Sequence, residues 1–399
     1  MQEFKGKAMR LWVPSWFAHC AMILFCICQG ALAAASTPPH YLVTNDDGTF
    51  FNSVSFFTIS GTGSLSLKQE VVTGGQGIGG GYFGANRIAL LNTGTEECVY
   101  ASDANTGDIA GIDVASLTLA ETTAGSSNDS GNANGISLAI GGQYLYAGFT
   151  TSNTIGTFQL QANCSLTFVN DISVAGLQGG FIEGMAIHGN LLVVTYGDGS
   201  IESFDISAGT PVSNGDEQNS TGYVTSQGAS YPTSVEITKD GHFAIFGDTS
   251  MSTLIEVSDL SSGKLQTTVA YSLGTSINSS NVLLSPDETL LYISNTEGDT
   301  VTAAFFDSST GKLSAGCTSN RLKDYSVHWS YLAQLALRDD SGTGGLIYVS
   351  EFSTSPSIAL LSVQSSGGKC TLAELSGSPI AEPDSSGLLS IGSFPSRTF

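Results

Sequence analysis

"SPDETLLYISNTEGDTVTAAFFDSSTGKLS", Ser285–Ser314, holds three strand-like runs of β-branched and aromatic residues divided by two turn-like breaks. Its first run, "LLYISNT" (Leu290–Thr296), recurs along the chain. The other copies are "HYLVTND" (His40–Asp46), "CVYASD" (Cys98–Asp103), "YLYAGFT" (Tyr144–Thr150), "LLVVTYGD" (Leu191–Asp198), "FAIFGDT" (Phe243–Thr249) and "LIYVSEF" (Leu346–Phe352). Each of the seven is followed by a second apolar run, as in "GDIAGIDV" or "NTIGTFQL", and often by a glycine turn such as "GTGSLSL" or "STGKLSA". Glycine there supplies the positive φ that tight hairpins use. A further apolar run precedes six of the seven, from "RIALL" at Arg87 to "LALR" at Leu335.

A period of about 50 residues with four strands per period and no helical periodicity predicts an all-β, seven-bladed β-propeller. Each blade is a four-stranded antiparallel sheet that cannot bury both faces alone, so a ring of neighbours covers them. The first copy has no inner strand of its own. The spare run "GLLSIGSF" (Gly387–Phe394) is expected to pair beside residues 41–45 and close the ring.

The 399 residues include 48 Gly, and 41% are hydrophobic, which suffices for a buried core. With 13 Lys and Arg against 35 Asp and Glu, the net charge is −22. That balance excludes a nucleic-acid partner, whose phosphates need a basic surface, and opposes adsorption to anionic lipid. Lys5, Lys7 and Arg10, the apolar "WFAHCAMILFCIC" (Trp16–Cys28) and the small residues Ala31-Leu32-Ala33 read as an export signal over residues 1–33. An uncleaved anchor is the alternative. Residues 34–399 are then a single propeller domain, extracytoplasmic (periplasmic or secreted), monomeric and without a membrane span. Cys98, Cys164, Cys317 and Cys370 remain after that segment, an even number suited to two disulfides. All three pairings are open, as are free buried thiols, and the spacing is too wide for zinc.

These repeats resemble the seven-bladed propellers of the YVTN and lactonase-like (phosphogluconolactonase-type) family, from about Tyr41 to the C-terminus and most closely in "SPDETLLYISNTEGDTVTAAFFDSSTGKL". The resemblance implies the fold, and for the lactonase branch a Pro-Arg-His step entering an inner strand. The best counterpart here is "YPTSVEITKDGHFAIF" (Tyr231–Phe246), where Pro232, Asp240 and Gly241 fit and Thr233 and Ser234 stand in place of the Arg and His. Asn281 and Arg87 occupy the His register in two other blades. Lactone opening needs a base for water and a cation or donor for the developing oxyanion.

The expected function is therefore binding of a small ligand, polysaccharide, other polymer or protein partner through the loop-rich channel face, without catalysis. The alternative is a lactone hydrolase with a divergent site. The ligand-binding candidates are Arg87, Glu183, Tyr231, Asn281, Arg321, Lys323, His328 and Trp329, and the catalytic candidates His328, Asp324 and Arg87. Most lie in or near "NRLKDYSVHWSYLAQ" (Asn320–Gln334), the chain's one concentration of basic, acidic and aromatic side chains, suited to charge-assisted hydrogen bonds and stacking. Asp46, Asp47, Asp103, Asp198, Asp248, Glu297, Asp299 and Glu351 gather on the same face. Such oxygens suit Ca²⁺, but no calcium-loop spacing is present, so no metal or cofactor is expected. "GGQGIGGGYFGANR" (Gly74–Arg87) lacks the following helix of a phosphate loop, and no Gly-x-Ser-x-Gly elbow occurs.

Overall fold

The computed structural model describes residues 41–79, 87–126, 135–220, 232–248, 254–273, 279–296, 298–323, 331–338, 345–352, 356–382 and 390–394. All belong to one compact unit, His40–Phe399. They form seven antiparallel sheets. The innermost strands, one per blade, are Ile88–Asn92 (blade I), Ile136–Gly141 (II), Ile182–His188 (III), Pro232–Ile237 (IV), Ser279–Leu284 (V), Tyr331–Arg338 (VI) and Ser390–Phe394 (VII). Each packs on the next in that order, and blade VII returns to blade I. The chain is thus a closed seven-bladed β-propeller. No helix among the described residues is long and apolar enough to cross a membrane.

Alternation along the strands explains how the ring holds. In a strand successive side chains point to opposite faces, so each blade feeds the interfaces on both sides. Tyr100 and Leu145 share one hydrophobic cluster between blades I and II, while Val99 packs with Val43 and Phe56 between blades VII and I. Seven such clusters fill the seven interfaces, so the core is a ring of wedges rather than a single centre.

Closure is made by the C-terminal strand, as the spare apolar run predicts. Ser390–Phe394 pairs antiparallel with Tyr41–Asn45, in the register Tyr41↔Phe394 to Asn45↔Ser390. Phe394 drops into the cluster with Tyr41 and Ile88, and Ile391 into the one with Leu42 and Tyr348. One strand from the far end of the sequence thereby completes two interfaces.

Of the three cysteine pairings, the structure selects Cys98–Cys164 and Cys317–Cys370, with Cα separations of 5.5 and 5.6 Å. The first ties blade I to the turn after the third strand of blade II. The second ties the outermost strands of blades V and VI.

The inner strands are not alike. In blades III, IV and V the register slips by one residue near the strand start, leaving Glu183, Thr233 and Ser280 as bulge residues, and blade VI carries a wider irregularity between Leu332 and Leu335. A bulge bends the strand and re-aims its side chain. Two of these residues reach the next blade: Thr233 Oγ1 donates to the Ser280 carbonyl at 3.1 Å, and Ser280 Oγ donates to the Leu332 carbonyl. Gly184 lets the inner strands of blades III and IV approach, since a Cβ there would lie 2.9 Å from the Thr233 carbonyl oxygen. The bulges thus stitch one rim of the channel while turning side chains toward it.

Candidate functional site

Inner strands begin on the face where the loops between outer and inner strands meet those between second and third strands. Arg87 precedes the first inner strand and is 1% exposed. Its Nη1 lies 3.2 Å from Asp47 Oδ2, from the loop after Tyr41–Asn45 in blade VII. Asp47 sits at φ 54°, a conformation Asp tolerates better than most residues, and its Oδ1 accepts the Ile78 N–H at 3.0 Å. The space for the guanidinium is kept by Gly135, where a Cβ would come within 3.4 Å of Arg87 Nη2.

Glu183 joins this pair from blade III. It is 2% exposed, and its Oε2 has no hydrogen-bond partner among the described residues. Burial pushes its carboxyl up to about 8, and the nearby Arg87 charge opposes that rise. A cation from blade I, its counter-ion from blade VII and a proton-holding carboxyl from blade III therefore meet at the channel mouth. Ser234, at the vacant His position of blade IV, adds a buried hydroxyl without a hydrogen-bond partner among the described residues. Beyond this rim, the inner strands of blades I to IV line a channel cavity of about 630 Å³.

The other sequence candidates divide. Asn281 is buried, and its Oδ1 accepts the Leu335 N–H at 3.1 Å, a link between blades V and VI. Arg321 places Nε and Nη2 at 2.9 and 2.6 Å from Asp299 Oδ2, and Lys323 stands 3.9 Å from Glu374. Among the described residues these two cations thus stand against acids of blades V and VI. Tyr231, Asp324, His328 and Trp329 lie outside the described residues, as does Glu297.

Several acids read from the sequence as possible cation ligands carry hydrogen bonds that build the rim. Asp46 accepts hydroxyls from Thr44, Ser53 and Ser55 at 2.5, 2.8 and 2.8 Å. Asp103 takes Asn52 and Thr73, both at 2.7 Å. Asp198 is pushed up by burial, but the Ser200 hydroxyl and the N–H groups of Gln178, Ser200 and Gly180 hold it below the usual carboxylate range. Among the described residues, the one group with metal-like spacing is Glu96 with Cys98 and Cys164, and those cysteines are spent in a disulfide.

Burial raises Asp46 to about 7 and Asp103 to about 6, against the hydroxyl and amide donors that favour their ionised forms. With Glu183 at about 8, three carboxyls keep protons in the folded state that they release in the unfolded chain. Their folded values lie above the unfolded ones, so the unfolded state binds fewer protons as pH rises, and stability falls with pH. The loss should run from about pH 4 to about pH 8. Melting curves at about pH 5 and pH 8 check this: Tm should be several degrees higher at the acid end, and Asp46→Asn should flatten the slope. An unchanged or inverted slope would show that these carboxyls ionise freely in the fold.

The fold and this mouth define a class: a closed seven-bladed propeller with a buried ionic cluster at one end of its channel. Residues 99–383 match the family described as lactonase, 7-bladed beta-propeller, and the chain belongs to that family. No curated protein matches it in sequence. Among solved structures it is similar to a provisionally assigned 6-phosphogluconolactonase from Bacteroides uniformis, with TM-score 0.65 and 14% identity over 89% of this chain and 99% of that one. A second such protein, from Bacteroides fragilis, gives TM-score 0.64 and 15% identity over 90% and 99%. The periplasmic gluconolactonase of Pseudomonas aeruginosa gives 0.55 and 16% over 70% and 82%. At such identities these likenesses carry the fold alone.

The sequence made Arg87 and Glu183 candidates but did not join them, and it gave Asp47 no role beyond an acid of the face. The available signal was the pair of offsets: Arg87 stands at the His register of blade I, and Glu183 at the Arg register of blade III.

Proposed function

We propose that the channel mouth hydrolyses lactones, with Glu183 transferring protons and Arg87 stabilising carbonyl charge. The observation that supports this most is Glu183 itself: a carboxyl buried at a bulge, with one oxygen unpartnered among the described residues and the Arg87 charge nearby. A carboxylate whose pKa lies near the working pH is an effective general base. In this reading Glu183 takes a proton from water as the water oxygen bonds to the lactone carbonyl carbon. The ring C–O bond then breaks, and the proton passes to the departing alkoxide, so water is added across the ester and Glu183 is regenerated. Arg87 favours the negative charge that builds on the carbonyl oxygen.

Initial rates on a panel of γ- and δ-lactones test this. Since the base must be ionised, the rate should climb with pH and level off near about 8. Glu183→Gln should remove that limb and lower the rate by about 10²- to 10⁴-fold. Hydrolysis that survives the substitution undiminished places the chemistry elsewhere.

A second reading, a propeller that binds its ligand without turnover, is favoured by the 3.2 Å Arg87–Asp47 pair, which neutralises the cation inside the protein. Saturable binding that raises Tm, with no hydrolysis of any lactone, selects it. In either case the two disulfides support an extracytoplasmic location, because such bonds persist in oxidising compartments. The completed ring needs no second copy to cover its inner faces, which supports a monomer.

A further inference from the structure

Phe50 and Phe51 are 81% and 77% exposed, unusual for adjacent aromatic rings. They stand on the loop that carries Asp47, three and four residues beyond it, so their Cα atoms lie within about 11 and 14 Å of the Arg87 counter-ion. The loop is firmly held. Gly77 N–H donates to the Gly48 carbonyl at 2.7 Å, Gly79 N–H to the Asp47 carbonyl at 3.0 Å and Asn52 N–H to the Gly75 carbonyl at 3.0 Å. Gly48 N–H donates to Asn52 Oδ1 at 3.1 Å, and Gln76 Nε2 to the Phe50 carbonyl at 3.3 Å. Two rings are thus presented to water on a braced loop beside the mouth. Leu177, 49% exposed, stands on the loop leading into blade III on the same face.

Charge points to the same kind of ligand. Arg87, Arg321 and Lys323 are described cations of that face, and each stands against a carboxylate: Asp47 at 3.2 Å, Asp299 at 2.6 Å and Glu374 at 3.9 Å. A phosphate would meet a carboxylate beside each of these cations, within a protein of net charge −22. An uncharged aliphatic chain meets no such competition and covers the rings.

We propose that the mouth selects lactones bearing an aliphatic chain, held against Phe50 and Phe51, over phosphorylated sugar lactones. The inference rests on the hydrolytic reading for its substrate but can fail separately from it. Hydrolysis of γ-butyrolactone, γ-dodecalactone and 6-phosphogluconolactone is compared in the intact protein and the Phe50→Ser/Phe51→Ser variant, whose changes are solvent-exposed. Binding of the same three by the Glu183→Gln protein is followed by thermal shift, which needs no turnover. The dodecalactone should be preferred by up to about fourfold for each methylene covered. The double variant should lose about 30-fold of that preference while butyrolactone changes less than about twofold. Equal binding of the two γ-lactones by Glu183→Gln, or preference for the phosphorylated lactone, overturns the inference, whether or not catalysis is found. It is equally overturned if the double variant keeps its selectivity but loses self-association in sedimentation or binding to neutral phosphatidylcholine vesicles, since the rings then serve a second copy or a lipid surface.

Discussion

A chain truncated after Leu389 is expected to melt about 15 °C below the full-length protein, or not to fold cooperatively at all. The segment it loses is short, but Ser390–Phe394 is the inner strand of blade VII. Its removal exposes the edge of Tyr41–Asn45 and opens both interfaces that Phe394 and Ile391 complete. Deleting a buried Phe costs about 3–5 kcal/mol and a buried Ile about 2–5. The sum rivals the whole margin of about 5–15 kcal/mol by which domains are folded. For a domain of this size each kcal/mol moves Tm by about 2 °C. Phe394→Ala alone should lower Tm by several degrees, which keeps the idea testable if the truncated chain does not fold. A peptide spanning residues 387–396 should restore part of the loss by adding a strand to the open edge. If the truncated protein melts within about 2 °C of the intact one, closure by this strand contributes little.

The same strand shows why the fold was legible. A propeller writes its blade into the sequence over and over, so seven imperfect copies of "LLYISNT" reinforce one another. The blade missing its inner strand and the spare apolar run at the other end explain each other. None of this required a contact between particular side chains, only alternation and period.

The site was less legible because it is built from exceptions to the repeat. Arg87 and Asp47 are 40 residues apart and belong to different blades. Glu183 comes from a third blade and turns toward the rim through a bulge, which "FIEGMAIH" does not advertise. The sequence drew attention instead to 320–334, where polar and aromatic residues crowd along the chain. Of that group, Arg321 and Lys323 stand against Asp299 and Glu374. Density along a sequence is a weak guide to convergence when neighbouring loops come from blades about 50 residues apart.

Removing both disulfides is the second large effect expected. Cys98–Cys164 and Cys317–Cys370 close loops with sequence separations of 66 and 53. In the chain-entropy account, loops of this size stabilise by about 4 kcal/mol each, because the cross-link narrows the unfolded ensemble. Their placement adds a second cause. Each bond crosses one blade–blade interface, so it resists the separation of two neighbouring wedges, the motion by which a ring of this kind would first open. Cys98→Ser/Cys164→Ser and Cys317→Ser/Cys370→Ser should each lower the midpoint of urea unfolding, and the combined variant should lose about 8 kcal/mol, close to the limit of a folded state. Because the two interfaces lie in different parts of the ring and share no residues, the losses should be additive within about 0.5 kcal/mol. Losses that sum to much less would mean that the unfolded chain is already compact across these loops, so the bonds constrain little. A pronounced excess would mean instead that opening one interface weakens the other, so the two are energetically coupled through the ring.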